Sequence, residues 1–175
     1  MDENLPGIKQ GESLPESDLV FRITQVSFRD RLNNEIPAER NFTLSSRDEF
    51  KLSVDWAFLS KPEACLARVG ASYKFGKEEF KDWKQCELYS FRIYALKELS
   101  NSIMDVVYDP VRHETPQKGR PDNNAHALVL ISNEWESFEP KLAVKMRDMA
   151  VENGKVTVDP TETEAIVTQF RDQWD

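Results

Sequence analysis

The chain is poor in the residues from which most recognisable active-site motifs are built. Six glycines lie at positions 7, 11, 70, 76, 119 and 154. With glycines so scattered, neither a P-loop nor a dinucleotide-binding fingerprint can be written, and nucleotide chemistry by those routes is excluded. There is no Gly-x-Ser-x-Gly elbow, kinase signature, His-Glu-x-x-His or Cys-x-x-Cys, which removes the commonest hydrolase and metal frameworks but not enzymes with scattered sites. Cys65 and Cys86 are too few for a disulfide framework and lack metal-type spacing, so reduced thiols are expected. No apolar stretch approaches the ~20 residues needed to cross a bilayer, and Met1-Asp2-Glu3-Asn4 does not begin a secretory signal. The expected location is therefore the cytoplasm, where the acceptor pattern Asn41-Phe42-Thr43 carries no meaning.

The net charge of −8 is unevenly spread. Five acids stand against Lys9 in residues 1–18, and five against Arg171 in residues 159–175, leaving the body between them balanced. A broad basic face for nucleic acid or anionic membrane is disfavoured, since neutralising phosphate needs a local positive surplus. Ten Phe, four Trp and four Tyr argue against a disordered chain, and 175 residues suffice for one sizeable core.

Residues 1–18 mix acids with Pro6, Gly7, Gly11 and Pro15 and have no apolar period, which predicts a mobile acidic tail. Residues 19–158 are expected to form a single domain. Within it, alternation at Leu19, Phe21 and Ile23, with a phase change to Val26 and Phe28, predicts an irregular strand. Phe50 to Trp56 is the clearest strand, with Leu52, Val54 and Trp56 on the core face and Lys51, Ser53 and Asp55 on the wet one. Ser60-Lys61-Pro62-Glu63 predicts a capping box and a helix burying Leu66, Val69 and Tyr73. Further strands are expected at Cys86–Ala95 and Ile103–Tyr108, and the unbroken apolar run Ala127–Ile131 predicts a strand buried on both faces. Leu142, Met146 and Met149 recur at helical spacing before the stop Asn153-Gly154, and the methionines are read as core. Asp159-Pro160-Thr161-Glu162 caps an acidic C-terminal helix over 159–175, with Ile166, Phe170 and Trp174 on one stripe. The architecture expected is α+β: a mostly antiparallel sheet of about four to six strands with two or three helices packed on one face.

Both histidines fall at the long connection 109–126, which exceeds the usual roughly 4–6 residues. Each follows an aspartate at the same interval, Asp109-x-x-x-His113 and Asp122-x-x-x-His126. Asp109, His113, Asp122 and His126 are candidate metal ligands, and His126 with Asp122 a candidate base and its orienting carboxylate, either of which activates water. The alternative is turn chemistry, because Asp-Pro and Asp-Asn-Asn open and close loops without any site. Arg112, Lys118 and Arg120 in the same connection are candidate contacts for an anion or an acidic partner segment. Cys86 with His126 would make a nucleophile and base if their strands were neighbours, though a cysteine in an apolar strand is usually inert. Trp56, Trp83 and Trp135 either line a pocket or pack.

The segments Leu52-Ser53-Val54-Asp55-Trp56, Val106-Val107-Tyr108-Asp109-Pro110 and Pro121-Asp122-Asn123-Asn124-Ala125-His126-Ala127-Leu128-Val129 resemble short uncharacterised prokaryotic proteins. In those, a strand ending in Trp precedes a His-Asp-Pro stretch and an Asn-Pro-x-His-Ala stretch. This chain has Tyr108 where the pattern has histidine and Asn124 where it has proline. The resemblance spans residues 50–131 and implies a prokaryotic origin, with no activity, cofactor or oligomeric state attached to it.

Two functional expectations follow. The first is a noncatalytic partner-binding or regulatory accessory protein, whose C-terminal helix over 159–175 either docks on its own body or contacts a protein partner with Phe170 and Trp174 as aromatic anchors. The second is a small metal-dependent or histidine-using hydrolase with its site in the 109–126 loop.

Overall fold

The computed structural model describes residues 7–44, 51–131 and 140–174. Phe50 and Trp135 lie outside the described residues. The strands are β1 (Leu19–Gln25), β2 (Lys51–Trp56), β3 (Cys86–Arg92), β4 (Met104–Tyr108) and β5 (His126–Ile131). They form one antiparallel sheet in the order β3-β1-β2-β5-β4. Among the described residues four helices accompany it: α1 (Pro62–Gly70), α2 (Ile93–Leu99), α3 (Pro140–Asn153) and α4 (Pro160–Asp172). The α+β architecture is the expected one, with the helices divided between both faces of the sheet.

That division follows from strand periodicity, since successive side chains point to opposite faces. Val20, Leu52, Val54, Trp56, Val106 and Val129 supply one face, covered by Ile93 and Leu96 of α2 and by Leu142, Met146 and Ala150 of α3. Phe21 and Leu88 belong to the other, covered by Cys65, Leu66 and Ala67 of α1 and Val167 of α4. Each fully buried Val, Leu, Ile or Phe contributes about 1.5–3 kcal/mol. Because α1 packs on β1 and β3, the far half of that second face is less covered. Ala127 and Val129 of β5 are buried whereas Leu128 and Leu130 are only half-buried, so the run is not sealed on both faces as expected.

The expected mobile tail is corrected over residues 7–18. The Gly11 and Leu14 amides donate to the Tyr108 and Val106 carbonyls, each at 2.8 Å, and the Tyr108 amide donates to the Glu12 carbonyl at 3.0 Å. The segment thus pairs with the free edge of β4, whose unpaired backbone groups offer a ready partner, and Leu14 enters the core at 2% exposure. The capping box expected before α1 is also absent. Lys61 is the N-cap and its side chain makes no capping bond, and Ser60 turns inward towards Cys65 and Arg68. Glu63 instead accepts from the Asp159 amide at 3.1 Å. At α4 the expected cap forms, the Asp159 carboxylate accepting from the Thr161 and Glu162 amides at 2.8 and 3.2 Å.

The C-terminal helix is docked. Val167 of α4 lies over Gly70, where a Cβ would come within 2.8 Å of Val167 Cγ2 and 2.9 Å of Trp83 Cδ1. Trp83 Nε1 donates to Glu164 at 2.9 Å. Arg171 donates to the Gly70 carbonyl at 2.6 Å, capping the negative end of α1, and its guanidinium sits 4.0 Å from the Phe80 ring centroid. Phe170 packs into the same cluster, and Trp174 stacks on Phe80 with planes 13° apart. Both aromatics are half-buried against their own chain, so of the two expectations for this helix the structure has the docked one. Gly70→Ala should lower the unfolding free energy in urea by about 1–2 kcal/mol, overpacking at Val167 outweighing the helix-propensity gain; unchanged or increased stability would contradict this packing.

Candidate functional site

The ladder between β1 and β2 covers only Val20↔Trp56 and Phe21↔Asp55, whereas β1 and β3 pair over seven positions. Past Phe21 the join is made by a side chain. Arg22 donates from Nη1 to the Ser53 carbonyl at 2.9 Å and from Nε to the Asn41 carbonyl at 2.8 Å. Burial lowers its pKa to about 10, so it stays charged at neutral pH. Above this opening lies a cavity of about 210 Å³, lined among others by Arg22, Asp55, Cys65, Arg68, Lys81, Asn123 and His126.

Asp55 organises the pocket. It was assigned to the wet face of β2, yet it is 5% exposed because α1 and the 109–126 connection cover it. A buried carboxylate requires partners. Oδ2 accepts from Arg68 Nη2 at 3.0 Å and Oδ1 from Asn123 Nδ2 at 2.6 Å. Arg68 Nη2 also reaches Ser60 Oγ at 2.7 Å and Cys65 Sγ at 3.6 Å. Its Nε is buried with no partner. Burial, reinforced by the neighbouring Asp55 carboxylate, pushes the Cys65 thiol far above its ordinary range, so it is protonated at neutral pH and a poor nucleophile.

The connection 109–126 is an irregular hairpin, with isolated bridges Val111↔Asn123 and Gln117↔Arg120. It brings His126 to the pocket, since His126 is the register partner of Asp55. The His126 Nδ1 donates to the Asp109 carbonyl at 2.6 Å, with an Asp109 carboxylate oxygen 3.5 Å away. A carbonyl only accepts, so Nδ1 carries a proton in this contact. Asp122 serves elsewhere: its carboxylate accepts from the His113 amide at 2.9 Å, tying the hairpin together. The expected set Asp109, His113, Asp122 and His126 therefore does not converge, and among the described residues no group of three or more His, Cys, Asp or Glu is placed to hold a metal ion. The turn reading accounts for Asp122 and His113, and Asp109 rather than Asp122 orients His126.

Cys86 and His126 are separated by β1 and β2, about three strand spacings or ~14 Å, which corrects their expected pairing. Cys86 is itself pushed up by burial. Trp56 is core, donating to Asp18 at 2.9 Å, and Trp83 holds α4 as described. Arg112 donates to the Asn124 side chain at 3.0 Å and Arg120 to Gln117 at 3.4 Å. Lys118 is exposed on the hairpin.

Beside the pocket, sharing Ser72 and Lys81 with it, runs a cleft of about 670 Å³ between residues 72–81 and 119–121. Its walls are joined where the Tyr73 amide donates to the Gly119 carbonyl at 3.0 Å. Gly119 is required there: its φ is +71°, and a Cβ would fall 2.2 Å from the Tyr73 ring. Phe75, at the turn before Gly76, is fully exposed. Lys74, Lys77, Lys81 and Arg120 line the same cleft, with Lys74 paired to Glu79. Of this surface the sequence marked Arg120, as a candidate contact for an acidic segment, but not the wall around Phe75, an apolar residue between two lysines. Compared with family models, curated proteins and solved structures, the chain matches none.

Proposed function

We propose that the protein is a noncatalytic partner-binding or regulatory accessory protein, and that its partner docks at the cleft between residues 72–81 and 119–121. The supporting observation is Phe75, a large apolar ring left wholly in water at the rim of a cleft where Lys77, Lys81 and Arg120 outnumber Glu78. Exposed aromatics of this kind are anchors when a partner covers them, and the excess of cations selects an acidic partner segment and steers its approach. The acidic C-terminal helix first considered for this contact is engaged with its own body, so the contact moves to Phe75 and Arg120. Within the pocket, Asp55 is held by Arg68 and Asn123 and Cys65 is kept protonated, which favours binding over nucleophilic chemistry. A prokaryotic cytoplasm remains the proposed setting, on the resemblance of residues 50–131.

A glutamate-rich peptide carrying one aromatic residue should perturb amide resonances of residues 72–81 and 119–121, with an affinity that falls as salt rises. Phe75→Ala should weaken binding by about 2 kcal/mol, or roughly 30-fold, and Lys77→Glu should weaken it further. Perturbations confined to other surfaces, or an affinity indifferent to both substitutions, would remove this reading.

One observation favours a second reading, a histidine-using hydrolase. The Asp109 carbonyl accepts from His126 Nδ1, which leaves Nε2 as the acceptor of the uncharged ring, the state a general base needs. On that reading, hydrolysis of a generic ester or phosphoester falls about 10²–10⁴-fold in His126→Ala while thermal stability is kept. Turnover that is absent from the wild type, or equal in the variant, discards it.

A further inference from the structure

We propose that the pocket over Asp55 and Arg68 is a binding site for a small oxyanion, a carboxylate or phosphate group. Three cations line it, Arg22, Arg68 and Lys81, against the one carboxylate of Asp55. That carboxylate is already committed on both oxygens, to Arg68 and to Asn123. It neutralises one guanidinium and leaves the others without a counterion, for Arg22 is satisfied only by the Ser53 and Asn41 carbonyls and Lys81 forms no ion pair among the described residues.

Donor capacity shows the same surplus. A guanidinium carries five N–H donors, and among the described residues the acceptors of Arg68 all meet Nη2, from Asp55, Ser60 and Cys65, while those of Arg22 are two carbonyls. Buried donors are normally satisfied by protein, water or ligand. Water would serve them in an electrically neutral pocket, but here a second negative charge also offsets the excess of cations, and charge-assisted bonds to an oxyanion are about twice as strong as neutral ones. The volume agrees: about 210 Å³ holds several waters, each taking ~30 Å³, yet falls short of the roughly 300–1,000 Å³ of sites for drug-sized ligands. Entry is available from the side of Ser72 and Lys81, which also line the neighbouring cleft. None of this depends on a protein partner docking at Phe75, so the two ideas fail separately.

The test uses the full chain with sodium phosphate and sodium acetate, each compared with sodium chloride at equal ionic strength. At ten times its Kd a bound anion should raise Tm by about 3–6 °C above the chloride control, with amide shifts at Cys65, Arg68 and Asn123. Lys81→Gln, an exposed position, should weaken the anion at least threefold without altering Tm in chloride, and Arg68→Lys, which keeps the charge and loses the fork, should weaken it more. Response to acetate alone identifies a carboxylate ligand and to phosphate alone a phosphoryl group, and either supports the site. No response to both, or a response unchanged in Lys81→Gln, overturns it and leaves the pocket to water.

Discussion

A carboxylate placed in the middle of a sheet and denied water must be matched by charge and hydrogen bonds, and in this protein the match for Asp55 fixes the surrounding elements. Arg68 comes from α1 and Asn123 from the 109–126 hairpin, so one side chain of β2 fastens two segments distant in sequence. Desolvating both ions is expensive, and a well-made pair of this sort returns little net stability. What it supplies is position. With Arg68 drawn to Asp55, α1 is held with Cys65 and Ser60 against the same guanidinium, and the hairpin is held so that His126 stands beside them at the end of β5.

The second constraint is the close approach of α4 to α1 at Gly70, clamped by Arg171 on the α1 carboxyl end and by Trp83 on Glu164. Together with the pairing of residues 11–14 to β4, it commits both flanking segments to the body. The contact proposed for a partner is around Phe75, where apolar area stays in water beside a local excess of cations, and the neighbouring pocket carries positive charge of its own. The proposed partner contact and fold stability are therefore separable across a short distance: Phe75 and Lys77 are exposed, whereas Asp55 is buried and joins β2 to α1 through Arg68.

The parts of this arrangement that were legible in the sequence are those set by local periodicity and caps. Alternation over Leu52, Val54 and Trp56 gave β2 and its core face, and Asp159-Pro160 gave the start of α4. Periodicity assigns a residue to a face, however, and is silent on what covers that face, so it places Asp55 on the wet side of β2 although the residue is buried. The helix α2 follows β3 without a break and its N-cap, Arg92, makes no side-chain cap bond, so no start signal separates Ile93 from the strand before it. The bond from Asp109 to His126 was half visible: the pair was among the candidates, but the tautomer-fixing contact is to a main-chain carbonyl, which residue spacing cannot encode. The segment around Leu14 pairs with β4 through its backbone, and its acidic, proline-containing sequence conceals that role.

The central claim is that Asp55 and Arg68 act as one unit, and a double-mutant cycle in urea with Asp55→Ala, Arg68→Met and the double variant tests it directly. The account predicts that each single substitution costs about 3–5 kcal/mol, since each strands a buried charge, while the double variant costs clearly less than their sum, with a coupling above about 1.5 kcal/mol. Two small and additive losses, each below about 1 kcal/mol, would show that the pair is not what holds β2, α1 and the hairpin together.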